Sequence, residues 1–189
     1  FGMRRCSRGR AGTPPTCEAL PSTSTMEHSF ASEVEAFEWF ATHQISSFVH
    51  SATARTAPGD ESTDLYPVGL DRSSIRPGTV FADPYGHVIV VAQWIPERPG
   101  HWGALIGADA QPDGTIGRRT FWRGTFLFTS DTRDVGAGFK AWRPIAYDDE
   151  TLTYTELTNE DLDRRSGFVP FSRAQYAGST DDWYDRVEA

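Results

Sequence analysis

Two apolar runs joined by a proline- and glycine-containing link constrain this chain more than any other feature. His87 to Trp94 is β-branched and continuously apolar in its middle, which predicts a strand covered on both faces. Ile95 to His101 holds two prolines and a glycine and is expected to connect rather than to form an element. Gly103 to Asp109 supplies the second run, so the two are expected to pair antiparallel. With Trp94 opposite Trp102, His87 falls opposite Asp109, Cβ atoms roughly 4.5 to 5.5 Å apart. A register two residues away puts Gln111 in that place, and a shift of one turns the side chains to opposite faces.

A histidine beside a carboxylate is the pairing that orients a general base toward a thiol or hydroxyl nucleophile. The opposing reading leaves both residues structural. His87 follows the turn Asp83-Pro84-Tyr85-Gly86, where a ring commonly bonds a backbone carbonyl. Asp109 opens Asp109-Ala110-Gln111-Pro112-Asp113-Gly114, where its side chain can bond backbone two residues on.

Elsewhere the pattern is uneven. Residues 1–25 are rich in Arg, Gly, Pro, Ser and Thr and are expected to be irregular, leaving 26–189 as a single α+β domain. Ser32-Glu33-Val34-Glu35 is a capping signature, and Val34, Phe37, Phe40, Ala41, Ile45, Phe48 and Val49 recur at helical spacing. One helix over about 33–54 is predicted, burying Val34, Phe37, Ile45 and Phe48. Residues 117–128, aromatic around Gly124, suggest a bent strand or two short ones. Phe139 to Ile145, interrupted by Pro144, reads as an edge strand, with Leu152-Thr153-Tyr154-Thr155 as its partner. Ser179-Thr180-Asp181-Asp182 begins a helix that carries Trp183 and Val187.

Arg76-Pro77-Gly78-Thr79 followed by Gly86-His87-Val88-Ile89-Val90-Val91 resembles the second half of NlpC/P60 cysteine peptidases, in which a Gly-His-Val strand supplies the catalytic histidine. A histidine strand followed by an aspartate at the end of the next is also similar to the transglutaminase-like branch. The resemblance covers about a quarter of the chain. It implies an α+β, papain-like fold, a mainly antiparallel sheet packed on one long helix, with His87 as base and Asp109 or Gln111 fixing its tautomer. The activity implied is a thiol-dependent amide hydrolase or acyl transferase acting on peptide amides, cell-wall peptides among them, outside the cytoplasm.

The nucleophile is the missing part. Cys6 sits in Arg4-Arg5-Cys6-Ser7-Arg8-Gly9, where arginines would lower a thiol pKa. It lacks the flank that the resembled families carry. Cys17 follows Pro14-Pro15-Thr16 in what reads as an extended segment. The chain does not open with methionine and reads as an excerpt, so the alternative is a nucleophile upstream of Phe1. The cysteines are equally able to pair as a disulfide or to stay free.

The formal charge of −8 argues against a general nucleic-acid binder, which needs a basic footprint, despite the local cluster Arg4, Arg5, Arg8 and Arg10. Lys140, the single lysine, reads as a compositional bias. No apolar run is long enough to span a membrane, and neither a zinc-ligand spacing nor a cofactor motif is present, so no cofactor is expected. The rival of a different class is a non-catalytic module in which Trp94, Trp102, Trp122 and Trp142 form an aromatic surface for a glycan or a protein. Exposure of those tryptophans separates the two readings.

Overall fold

The computed structural model describes residues 4–7, 10, 13, 15–20, 29–129 and 131–189. Among them are ten strands in three sheets, every ladder antiparallel. The central sheet has six: β3 (Leu65–Pro67), β4 (Val80–Ala82), β5 (Val88–Ile95), β6 (Ala104–Ala110), β7 (Ile116–Thr120) and β8 (Gly138–Trp142). Their spatial order is β3-β8-β4-β5-β6-β7. Thus β4 to β7 form a meander, and β8 returns to insert between β3 and β4. Two smaller ladders flank it, β1 (Arg4–Cys6) with β2 (Cys17–Ala19), and β9 (Ile145–Asp148) with β10 (Thr153–Glu156). The first of these lies within the stretch expected to be irregular. The rest of that stretch, Arg8 included, falls partly outside the described residues.

A sheet packed on one long helix is not what the chain adopts. The predicted helix exists as α1 (Glu33–Phe40), a π turn (Ala41–Ile45) and α2 (Ser46–Phe48), a run of 16 residues. Ser32 caps it, its hydroxyl accepting from the Glu35 amide at 3.2 Å. The stripe meant for the sheet faces outward instead, with Val34 67%, Phe37 50% and Phe48 42% exposed, while Phe40 and Gln44 are buried. A separate 3-10 turn, Ser51–Ala54, packs beside β1 and β4.

The sheet is covered by the C-terminal third. Tyr66, Phe81, Ile89, Val91, Leu105 and Phe139 from its strands meet Phe126, Leu162, Trp183, Tyr184 and Val187 in one buried cluster. Leu162 comes from α3 (Asn159–Arg164), and the last three from α4 (Thr180–Glu188). Both helices begin with a full capping box, Thr158 with Asp161 and Ser179 with Asp182, which lets such short elements start sharply. Phe81, Phe126, Phe139 and Trp183 lie within ring-stacking distance of one another, between 4.8 and 6.0 Å for the pairs that meet.

Four strand expectations change. β5 is covered on one face: Ile89 and Val91 are buried, whereas Val90 is exposed on the other side. β8 is interior, because it ends at Trp142, before Pro144 can interrupt a ladder. β10 pairs with β9 rather than with β8, and after β7 the aromatic residues 121–128 form turns, not a further strand. No helix among the described residues is long and apolar enough to cross a membrane.

Candidate functional site

The turn before β5 fixes the histidine. Asp83 Oδ1 accepts from the backbone N–H groups of Tyr85 (2.8 Å), Gly86 (2.6 Å) and His87 (2.8 Å). Gly86 takes φ +127°, a conformation that side chains resist. From beneath, the buried Arg55 donates from its guanidinium to the Asp83 carbonyl at 2.9 Å. His87 therefore leaves the turn in one direction.

The register that brings it to Asp109 differs from the expected one. Trp94 lies opposite Leu105, not Trp102, because the connection folds about Pro99-Gly100, with Arg98 bridging to His101 and Gly100 at φ +77°. A bulge between Val91 and Gln93 then shifts the ladder to Val90 opposite Ala108. Continued one residue at a time, that register sets Ile89 opposite Asp109 and His87 level with Gln111. His87 and Asp109 thus share a face as diagonal rather than direct neighbours, within reach of side chains of this length. His87 Nε2 bonds Asp109 Oδ2.

On the other flank, β7 places Gly117 opposite Asp109 and Arg119 on the other diagonal, where its Nε donates to the same Oδ2 at 2.7 Å. Gly117 is needed there. A β-carbon at that position would stand 2.3 Å from Asp109 Oδ1. Asp109 is the fully enclosed member, with its side chain out of solvent, while the His87 and Arg119 side chains remain about one-third exposed, at 38% and 36%. Burial alone pushes the Asp109 carboxyl up. Hydrogen bonds from Arg119 and His87, the neighbouring Gln111 amide and the Arg119 charge outweigh it and hold the group below the ordinary carboxylate range. The Gln111 contact falls outside hydrogen-bond geometry, leaving both Gln111 Nε2 and Asp109 Oδ1 buried and unsatisfied.

Neither structural alternative describes the pair. The His87 ring bonds a carboxylate rather than a carbonyl, and the Asx residue of the β6–β7 turn is Asp113, whose Oδ1 accepts from the Thr115 amide at 3.0 Å. An ionised carboxylate only accepts, so the proton of the shared bond sits on Nε2, and it is in the neutral ring that Nδ1 carries the lone pair. No hydrogen bond among the described residues occupies Nδ1.

Cys6 does not complete this site. Its sulfur is bonded to that of Cys17, which lies directly across the β1–β2 ladder. Cys6 also lines a cleft with Val80, Val88 and Val90, whereas Asp109 and its histidine belong to the opposite face of the sheet. A disulfided sulfur on the wrong face is no partner for His87. Iodoacetamide is expected to label neither cysteine until a reductant is added. Reduction should then lower stability by about 3 kcal/mol, the loop-entropy value for a bridge spanning roughly a dozen residues, checked by denaturant melts with and without reductant.

Two residues that matter here were not found from the sequence. Arg119 was legible in principle, since Asp113-Gly114 sets the β6–β7 turn and alternation then puts 117 and 119 on the face of Asp109. Lys140 gave no signal beyond being the single lysine. It is wholly buried, its Nζ donating to the Thr56 carbonyl (2.8 Å) and hydroxyl (2.6 Å), and burial with the nearby Arg55 charge drives its pKa well below the ordinary lysine value.

Compared with known proteins, the chain matches no family model, no curated protein and no solved structure. The likeness to NlpC/P60 and transglutaminase-like enzymes therefore rests on Arg76-Pro77-Gly78-Thr79, the Gly-His-Val strand and its aspartate.

Proposed function

We propose that His87 is the general base of a hydrolase or acyl transferase acting on peptide amides, with Asp109 orienting it and Arg119 fixing Asp109. The observation that carries this reading is the asymmetry of the imidazole. Nε2 is held by a buried, ionised carboxylate, while no hydrogen bond among the described residues engages Nδ1 and the ring is partly open to solvent. Such a ring takes a proton from an attacking group and passes it to the leaving amine. Neither cysteine of the Cys6–Cys17 bridge is the attacking group, so the nucleophile is a water molecule or a thiol or hydroxyl brought to Nδ1 from elsewhere. The disulfide fits an oxidising, extracytoplasmic setting, in keeping with a cell-wall peptide as substrate. The test is hydrolysis of a panel of fluorogenic peptide amides and esters. His87→Ala should lose roughly 10²–10⁴ of the rate with little change in KM. Turnover equal to the parent's removes His87 from the chemistry.

A second reading has its own observation. Trp102 is 90% exposed, and Trp122 and Trp142 are also open. They do not form one surface. Trp102 and the half-buried Trp94 line a cleft of about 390 Å³ with Arg72 and Glu97, Arg72 lying over the Trp94 ring at 5.3 Å, while Trp142 lines different clefts. An aromatic wall with an arginine and a glutamate beside it suits a glycan. Trp102→Ala should abolish retention on a peptidoglycan or oligosaccharide column while leaving His87-dependent hydrolysis intact. Unchanged retention sinks the glycan reading.

A further inference from the structure

The β9–β10 ladder is a ribbon of two strands, and among the described residues neither of its outer edges pairs with a third. Two strands alone are marginal in water. This pair is tied down by Ala146, which packs on the core, and by the bond from the Leu157 N–H to the Pro144 carbonyl at 3.0 Å. That bond also fixes which backbone groups face outward. Hydrogen-bonded pairs alternate with open ones along an antiparallel ladder, so Thr155 bonds Ala146, Thr153 bonds Asp148, and Tyr154 and Glu156 aim their N–H and C=O groups away from β9. The outer edge of β10 is therefore an open template for another strand.

Its side chains and charges describe what would lie there. Ile145, Tyr147 and Tyr154 share an exposed face, the two tyrosine rings 4.9 Å apart and Tyr154 73% exposed. Leu152, at the start of β10, is 70% exposed at φ +54°, a left-handed backbone that a leucine adopts only at a cost. Strain of this kind collects at surfaces that clamp a ligand. Residues 145–156 also carry Asp148, Asp149, Glu150 and Glu156 with no lysine, arginine or histidine. Glu156 is bonded to Arg4, which it shares with Asp64, and Arg143 lies near enough to feel its charge and that of Glu61. Asp148 Oδ1 accepts from the Glu150 and Thr151 amides, both at 2.9 Å, and so holds the turn that presents Asp149 and Glu150. A second copy of this chain would bring the same acids to that turn and no base.

We propose that the outer edge of β10 takes up an extended basic polypeptide segment as a third strand. Its backbone bonds the outward groups of Tyr154 and Glu156, its apolar side chains lie on Tyr154 and Leu152, and its lysines or arginines face Asp149 and Glu150.

The test uses the peptide acetyl-Lys-Lys-Thr-Val-Thr-Val-Thr-Lys-Lys-amide, its counterpart with glutamate for every lysine, and two N-methylated forms of the lysine peptide, one methylated at the valine amides and one at the threonine amides. Binding is read from amide NMR shifts in the full chain. The lysine peptide should move the Tyr154 and Glu156 amides and leave those of Thr153 and Thr155, already bonded to β9, nearly in place. The glutamate peptide should bind at least roughly tenfold more weakly, with the gap narrowing at about 1 M salt, where the screening length is about 3 Å. An added strand turns every second N–H toward β10, so one N-methylated form should lose binding and the other keep it, whereas general attraction to an acidic chain treats the two alike. Tyr154→Thr keeps a strand former and removes the ring, and should weaken the lysine peptide roughly two- to fivefold. Asp149→Asn with Glu150→Gln should erase most of the preference for lysine over glutamate. Unmoved Tyr154 and Glu156 amides at millimolar peptide, equal binding of the two N-methylated forms, or a glutamate peptide as tight as the lysine one overturns the assignment. So does a shift of those amides with protein concentration alone, which gives the edge to a second copy. The peptide series on the parent decides the matter even where Tyr154→Thr unfolds the ribbon.

Discussion

Trp183→Ala is expected to destabilise the protein by about 3–5 kcal/mol, the range for deleting a fully buried large aromatic. The side chain is 0% exposed, stacks on Phe128 at 4.6 Å and Phe139 at 5.6 Å, and meets Tyr184 edge-on at 4.9 Å. It is the wedge that holds α4 to the central sheet. Its loss also frees Tyr184, whose hydroxyl donates to the Phe126 carbonyl at 2.8 Å and accepts from the Phe128 amide at 3.1 Å. Against a typical total of about 5–15 kcal/mol, a cost of this size leaves a marginal fold. Trp183→Phe should cost less than half as much, because it keeps most of the ring volume and removes an indole N–H that has no hydrogen-bond partner among the described residues. Denaturant unfolding followed by circular dichroism measures both. A Trp183→Ala variant within 1 kcal/mol of the parent, roughly the mean effect of any point mutation, shows that the C-terminal layer is not what the sheet rests on.

That layer marks where the sequence stops being legible. Helical spacing correctly joins Val34, Phe37 and Phe48 on one face, and Ser32 correctly starts the helix, but periodicity says only which residues share a face, never what covers it. The sheet is covered instead by Leu162, Trp183, Tyr184 and Val187. These come from helices of 6 and 9 residues, too short for a periodic signal to stand out. Their capping residues were the readable part, and the Ser179 start was read from them. Pro144 shows the limit of a single residue as punctuation: it bars a ladder hydrogen bond only where a ladder exists, and β8 has already ended.

At the site, the face was legible and the register was not. Alternation alone puts His87 and Asp109 on the same side of an antiparallel pair for any even shift, which is why their contact survives a register two residues from the expected one. The Pro99-Gly100 turn carried the information that would have set the register near it, but the bulge between Val91 and Gln93 left no trace in residue type. Cys6 shows a different limit. Three nearby arginines describe a thiol that is free to ionise, and they say nothing about a cysteine held across a two-strand ladder from its partner.

Asp109→Asn is expected to have the larger functional effect. The parent carboxylate accepts from both His87 Nε2 and Arg119 Nε through one oxygen, and that demand fixes the proton on Nε2. An asparagine has one accepting oxygen and one donating nitrogen. If the oxygen stays with Arg119, the amide nitrogen faces the ring and favours the tautomer with Nδ1 protonated, which cannot take a proton from a nucleophile. Peptide-amide turnover should fall roughly 10²–10⁴-fold, as when a general base is disabled, with KM little changed. Stability responds in a separate way. The folded-state pKa of Asp109 is depressed, so its contribution is fully present above the unfolded value of about 3.9 and disappears as pH falls through the lower folded value. In Asp109→Asn the acid limb of a stability–pH curve should therefore be shallower by one carboxylate, and the deficit against the parent, about 1–3 kcal/mol at neutral pH, should close below pH of about 4. Arg119→Leu serves as the control, because it removes Asp109's other partner and leaves His87 Nε2 its acceptor. Its stability should fall while turnover drops far less than in Asp109→Asn. Equal losses of turnover in the two variants would mean that Asp109 acts by holding the sheet together and not by holding the histidine.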